Sequence, residues 1–124
     1  MPASASLVTS TIGTPPTFAA GGTIPDGTYV LTKEIKESGT AKTFKEVTVI
    51  AGSCWLSYAI DAAGPEKRAD TTVDASGTVT ATCPTALTYH PTYGRADGGG
   101  GKVKLITLSD ASLGAQSYRE WIQQ

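Results

Sequence analysis

The sequence predicts an all-β chain folded as one eight-stranded antiparallel up-and-down barrel. Two observations predict it. Short segments rich in Val, Ile, Thr, Tyr and Trp recur at even spacing between Thr28 and Ile122, with turn residues between them. Every connection is short, and short loops force each strand to pair antiparallel with the next. A flat open sheet is the competing arrangement, and closure is favoured over it because a barrel leaves no unpaired edge. No segment carries a helical apolar period.

The first expected strand, Thr28 to Glu37, is launched by Gly21-Gly22-Thr23-Ile24-Pro25-Asp26-Gly27. Asp-Gly is a turn pair, because Gly supplies backbone angles that other residues avoid. This strand ends at Ser38-Gly39, and the second, Thr43 to Ala51, ends at Gly52-Ser53. The third, Cys54 to Asp61, stops at Ala62-Ala63-Gly64-Pro65; the fourth, Glu66 to Val73, turns at Asp74-Ala75-Ser76-Gly77. The fifth, Thr78 to Cys83, is stopped by Pro84. The sixth, Ala86 to Tyr93, contains Pro91, which has no amide hydrogen to donate and implies a bulge or a missing ladder bond. Asp97 to Gly101 is a glycine-rich turn into the seventh, Lys102 to Leu108. A turn over Ser109 to Gly114 leads to the eighth, Gln116 to Ile122.

Side chains alternate across a strand, so the pattern assigns faces. Tyr29, Leu31 and Ile35 share one with Lys33; Cys54, Leu56, Tyr58 and Ile60 oppose Trp55, Ser57 and Ala59. Val79, Ala81 and Cys83 oppose the Thr row of the fifth strand, and Val103, Leu105 and Thr107 oppose Lys104, Ile106 and Leu108. The apolar sets are expected to line the interior. An eight-stranded barrel is just wide enough to be filled by side chains or to hold one small ligand.

The chain has 124 residues, enough for one domain with a modest core at 40% hydrophobic content. Its net charge of −1, with Lys and Arg scattered, favours neither nucleic acid nor an anionic membrane surface. No apolar run approaches the ~20 residues of a membrane helix. Met1-Pro2-Ala3-Ser4 lacks the basic region and apolar stretch of a signal peptide, which leaves a cytoplasmic protein or a mature exported one. Residues 1–26, with Pro15-Pro16 at their centre, read as a flexible tail or tether before a barrel domain over residues 27–124. Leu7, Val8, Ile12 and Phe18 are its exceptions, able to dock as an edge strand or as a plug.

Few residues point to chemistry. His90 is the single histidine, and no Ser-His-Asp spacing surrounds it. It and the two cysteines lack the close ligand pairs of a zinc site. The Gly98–Gly101 run has no Gly-Lys-Ser/Thr continuation and sits between strands, so it is a hairpin tip and not a phosphate loop. Glu34, Glu37 and Glu46 fall across the first hairpin, interleaved with Lys33, Lys36, Lys42 and Lys45, and read as solvated cross-strand ion pairs. No catalytic residue, cofactor or metal is expected. Tyr29, Phe44, Trp55, Tyr58, Tyr89, Tyr93, Tyr118 and Trp121 offer apolar faces with polar handles, which suits core packing and also a cavity for a small amphipathic molecule.

Gly27, Tyr29 and Arg119 form a Gly-x-aromatic opening and a terminal-strand Arg that resemble the lipocalin/calycin superfamily. The usual aromatic there is Trp, so Tyr29 is a departure. Gly21 to Thr32, the Thr-rich run Thr78 to Pro84 ending in Cys-Pro, and Tyr118-Arg119 are similar to small uncharacterised lipocalin-like lipoproteins of myxobacteria. The resemblance covers about residues 21 to 122. It implies a lipocalin-like barrel with Gly27 and Arg119 as structural residues and Arg119 lying over Tyr29 or Trp55. It also implies an exported, periplasmic or cell-surface lipoprotein, with contact to a membrane only through a lipid anchor outside this chain. It implies no activity, since fold does not fix function.

Cys54 and Cys83 are set between two arguments. Export favours a disulfide. The expected register places Cys54 opposite Thr72 and Thr72 near Val79, leaving Cys83 two strands away and about 16 Å off, against the ~7 Å a bridge allows.

The function expected is non-catalytic binding of a small hydrophobic or amphipathic molecule by a monomer. Tyr29, Leu31, Leu56, Tyr58, Val79, Val103 and Leu105 are the expected liners. Two other classes fit the same pattern: an isomerase or cyclase that acts by confinement, and a protein-binding module such as an exported protease inhibitor.

Overall fold

The computed structural model describes residues 6–51, 54–61, 66–73, 79–83, 87–89, 92–109 and 115–124, with backbone placement alone for the strands between residues 51 and 89. The strands are β1 (Val8–Thr9), β2 (Thr11–Ile12), β3 (Gly27–Lys36), β4 (Thr43–Ala51), β5 (Cys54–Asp61), β6 (Glu66–Val73), β7 (Val79–Cys83), β8 (Leu87–Tyr89), β9 (Thr92–Asp97), β10 (Val103–Leu108) and β11 (Ser117–Gln123). They form one strongly curled, open antiparallel sheet, a half-barrel of six to seven strands with shorter strands extending its ends. The hydrogen-bonded order is β8-β7-β6-β5-β4-β3-β11-β10-β9.

The first and last long strands pair, from Ser117↔Lys36 to Gln123↔Tyr29. The expected closed circuit is not what the ladders form. The expected sixth strand is divided: β8 pairs with β7, and β9 pairs with β10 at the opposite end of the path. His90 and Pro91, between β8 and β9, lie outside the described residues. The glycine-rich tip between β9 and β10 is the expected turn. Gly99, Gly100 and Gly101 take φ of 84°, 58° and 77°, and Gly98 N donates to Lys102 O at 2.9 Å.

Alternation along the first strand is interrupted. Trp121 pairs with Leu31 but Glu120 pairs with Lys33, so Thr32 is an extra residue in a β-bulge. The bulge reverses the parity of β3. Tyr29 and Leu31 share a face with Glu34, not with Lys33 and Ile35 as the uninterrupted pattern implied. On β4 the same face carries Phe44, Glu46, Thr48 and Ile50, and on β11 it carries Arg119 and Trp121. Tyr29, Leu31, Phe44, Ile50, Val103, Leu105 and Trp121 pack there as one buried cluster, which defines the core face.

The register separates the expected liners. Tyr29, Leu31, Val103 and Leu105 meet in the core cluster. Val79 pairs with Val73, in the row that continues through Thr71 and Trp55 to Ile50 on the core face. Leu56 pairs with Val49 and Tyr58 with Val47, positions on β4 that alternate with Phe44 and Ile50. On β5, Trp55 is thus the residue in register with Ile50 of the core-face row.

Cys54 pairs with Thr72 as expected, while Cys83 pairs with Asp70 beyond a register shift between Asp70 and Thr72. The two cysteines stay two strands and two positions apart, about 12 Å between Cα atoms at ordinary sheet spacing. That exceeds the ~7 Å a disulfide allows.

Within the N-terminal segment, Val8 to Ile12 join the sheet. β1 pairs antiparallel with β4 (Val8↔Phe44, Thr9↔Thr43), and β2 pairs parallel with β3 (Thr11↔Ile35, Ile12↔Lys36). The chain then crosses the face opposite the core. Phe18 packs edge-on to Tyr118, with ring centroids 6.0 Å apart. Gly21 N donates to Tyr93 O at 2.8 Å, and Arg95 Nη1 donates to Thr23 O at 2.7 Å. This crossing explains why Ile106 and Tyr118, on the non-core row, are also buried.

Candidate functional site

Ladder pairing between β3 and β4 runs from Gly27↔Ile50 only as far as Val30↔Val47. Beyond that point the two strands are no longer backbone partners, and the Thr32 bulge turns Glu34 toward the core face. Arg119, paired with Glu34 across β11, reaches into this gap. Its Nε donates to Glu34 Oε2 at 2.6 Å and its Nη1 donates to Glu46 Oε2 at 3.1 Å. One guanidinium thus bridges carboxylates of β3 and β4 where the backbone ladder stops.

Burial gives the cluster its character. The Glu34 and Glu46 side chains are 3% and 12% exposed, while that of Arg119 is 30% exposed and lies over them. Charges so far from water are tolerated only when paired and hydrogen-bonded. Burial raises the Glu46 carboxyl above its ordinary value; Arg119 opposes this and the Glu34 charge adds to it. Two carboxylates against one guanidinium leave the cluster an excess of negative charge when all are ionised.

The guanidinium also has aromatic neighbours. Arg119 Cζ lies 5.5 Å from the Phe44 ring centroid and 6.0 Å from that of Trp121, within cation–π range. Trp121 Nε1 in turn donates to Thr107 Oγ1 at 3.2 Å. These rings differ from the expected partner Tyr29, for a reason of register. Tyr29 pairs with Gln123, one full bulge away from the Arg119↔Glu34 pair. Its hydroxyl instead donates to Pro25 O at 2.7 Å, fastening the entry to β3. Trp55 stands opposite Ile50, nearer the far end of β4 from Glu46.

Glu34 and Glu46 were legible as charges but not as buried ones. The signal for Glu46 was present: it alternates with Phe44, Thr48 and Ile50. Glu34 was hidden by the bulge, which no residue type announces. Among the described residues, no group of three or more His, Cys, Asp or Glu is placed to hold a metal ion. His90 lies outside the described residues. No family model, curated protein or solved structure matches this chain.

Proposed function

We propose that the curled sheet is completed as an eight-stranded lipocalin-like barrel and that its core face binds a small amphipathic molecule without catalysis. The observation that carries this reading is the composition of one face. An apolar cluster of Tyr29, Leu31, Leu105 and Trp121 adjoins the partly exposed Arg119, backed by Glu34 and Glu46. Apolar burial supplies affinity and a few fixed polar groups set orientation in such sites. The pairing of β3 with β11, and the division of one expected strand between the two ends of the path, support closure. A short apolar or amphipathic compound suits the limited space of so small a barrel. An exported setting, implied by the lipoprotein-like sequence, belongs to the same proposal.

The test is a thermal-shift screen with small amines, carboxylates and uncharged aromatics. At least one class should raise Tm in a concentration-dependent way. Val79→Trp, in the core-face register, should weaken that binding, while Leu56→Trp, in the other row, should leave it unchanged. No stabilisation by any class would refute the reading.

A further inference from the structure

The gap between β3 and β4 is filled by the chain's own N-terminus. From Val8 to Ile12 one extended segment lies along it, bonded first to β4 and then to β3. Ser10 is the pivot: its N–H donates to Lys42 O at 2.8 Å, and Lys42 N–H donates to Ser10 Oγ at 2.6 Å. Ser10 is 3% exposed, so this position accepts only a small hydroxyl side chain. Thr9 and Thr43 share a hydroxyl hydrogen bond of 2.9 Å, and Gly13 N donates to Lys36 O at 2.9 Å. Val8 packs against the core cluster. Main-chain bonds supplied by two strand edges, with a pocket for alternate side chains, make a strand-addition site.

The occupant is joined to β3 by residues 13–26. It enters at the level of Lys36, and the chain must return to Gly27 at the other end of β3, about 30 Å away at ~3.3 Å per residue. The connector is rich in Gly, Pro, Thr and Ala and carries Pro15-Pro16. Nothing in the bonding at the slot depends on which molecule supplies the segment.

We infer that the β3–β4 slot is an exchangeable strand-addition site whose partner is the Val8–Ile12 segment of a second copy of this chain. Exchange forms the same bonds in trans as in cis, so a second copy is a complementary partner by construction. In the full chain the cis segment competes at an effective concentration on the order of millimolar, which keeps exchange weak. The balance is set by the connector and not by the slot.

Shortening the connector tests this. With residues 14–21 deleted, the remaining chain spans about 25 Å at most, too little to return along β3. The deleted chain should then be dimeric at micromolar concentration by analytical ultracentrifugation, where the full chain is monomeric. Ser10→Arg in the deleted chain should abolish the dimer. A deleted chain that is monomeric with an unchanged far-UV circular dichroism spectrum overturns the inference. Should the deletion prevent folding, a fluorescent peptide of residues 6–13 is titrated into full-length Ser10→Arg, whose own segment no longer fits the slot. The peptide should bind at least tenfold more tightly to this variant than to the unmodified chain. Equal binding to the two, or none to the variant, overturns the inference.

Discussion

Arg119 and Glu46 meet across a break in the sheet, Nη1 to Oε2 at 3.1 Å, just beyond the Val30↔Val47 pair at which the β3–β4 ladder ends. Together with the 2.6 Å bond from Arg119 to Glu34, this contact joins by side chains two strands whose backbones have parted. The arrangement makes Arg119 a shared counter-charge of two buried carboxylates, and its removal is informative.

Arg119→Met should destabilise the fold by about 3–5 kcal/mol, because it leaves buried carboxylates without their cation. Combining it with Glu34→Leu and Glu46→Leu should recover most of that loss, since a packed apolar group of similar volume often matches a buried ion pair. Urea unfolding of the single and triple variants measures both. A single variant as stable as the unmodified chain would show that the cluster carries no structural weight.

Glu46 should make stability fall as the solution becomes less acidic. Its folded pKa is raised, chiefly by burial, so the folded chain binds more protons than the unfolded one above the ordinary Glu value of about 4.3. The stabilising contribution is complete below that value and is lost as pH rises through the folded pKa. Glu46→Gln keeps an acceptor for Arg119 and removes the titration. The stability of Glu46→Gln relative to the unmodified chain should therefore increase from acid to neutral pH, and a pH-independent difference would contradict the assignment.

Tyr118 donates its hydroxyl to Glu120 Oε2 at 2.7 Å, and burial together with that bond and the nearby charge pushes its pKa up to about 12. In an alkaline absorbance titration Tyr118 should ionise near that value, and Tyr118→Phe should remove that step from the curve. The sign for stability follows from the same shift. The unfolded phenol loses its proton near pH ~10 while the folded one retains it, so stability should decline between there and the folded pKa.

Gly94 is where the N-terminal segment crosses β9. A Cβ at this position would meet the carbonyl oxygen of Ala19 and the Phe18 ring. Gly94→Ala should lift the segment at a cost of about 1–3 kcal/mol. The Gly21 amide, bonded to Tyr93 O at 2.8 Å, should then exchange its hydrogen faster than the amides of β11. Unchanged exchange at Gly21 would show that the crossing yields without detaching.

The sequence by itself determined the strands and most of their neighbours. Thr43 to Ala51, Cys54 to Asp61 and Glu66 to Val73 coincide with β4, β5 and β6, and Cys54 stands opposite Thr72 as the turn lengths required. These are local matters: turn residues, β-branched runs and short loops act within a few residues. Three features were decided only in three dimensions. The Thr32 bulge arises from how β3 must follow β11 and β4 at once, and it alone puts Glu34 beside Leu31. The choice of Trp55 over Leu56 for the core-face row came from pairing with Ile50, because a strand apolar on both faces does not state which one is inward. The docking of Val8 to Ile12 depended on a gap between β3 and β4 that exists only once both strands are in place. Each is a long-range pairing, whose free energy belongs to no one segment and is therefore written in none.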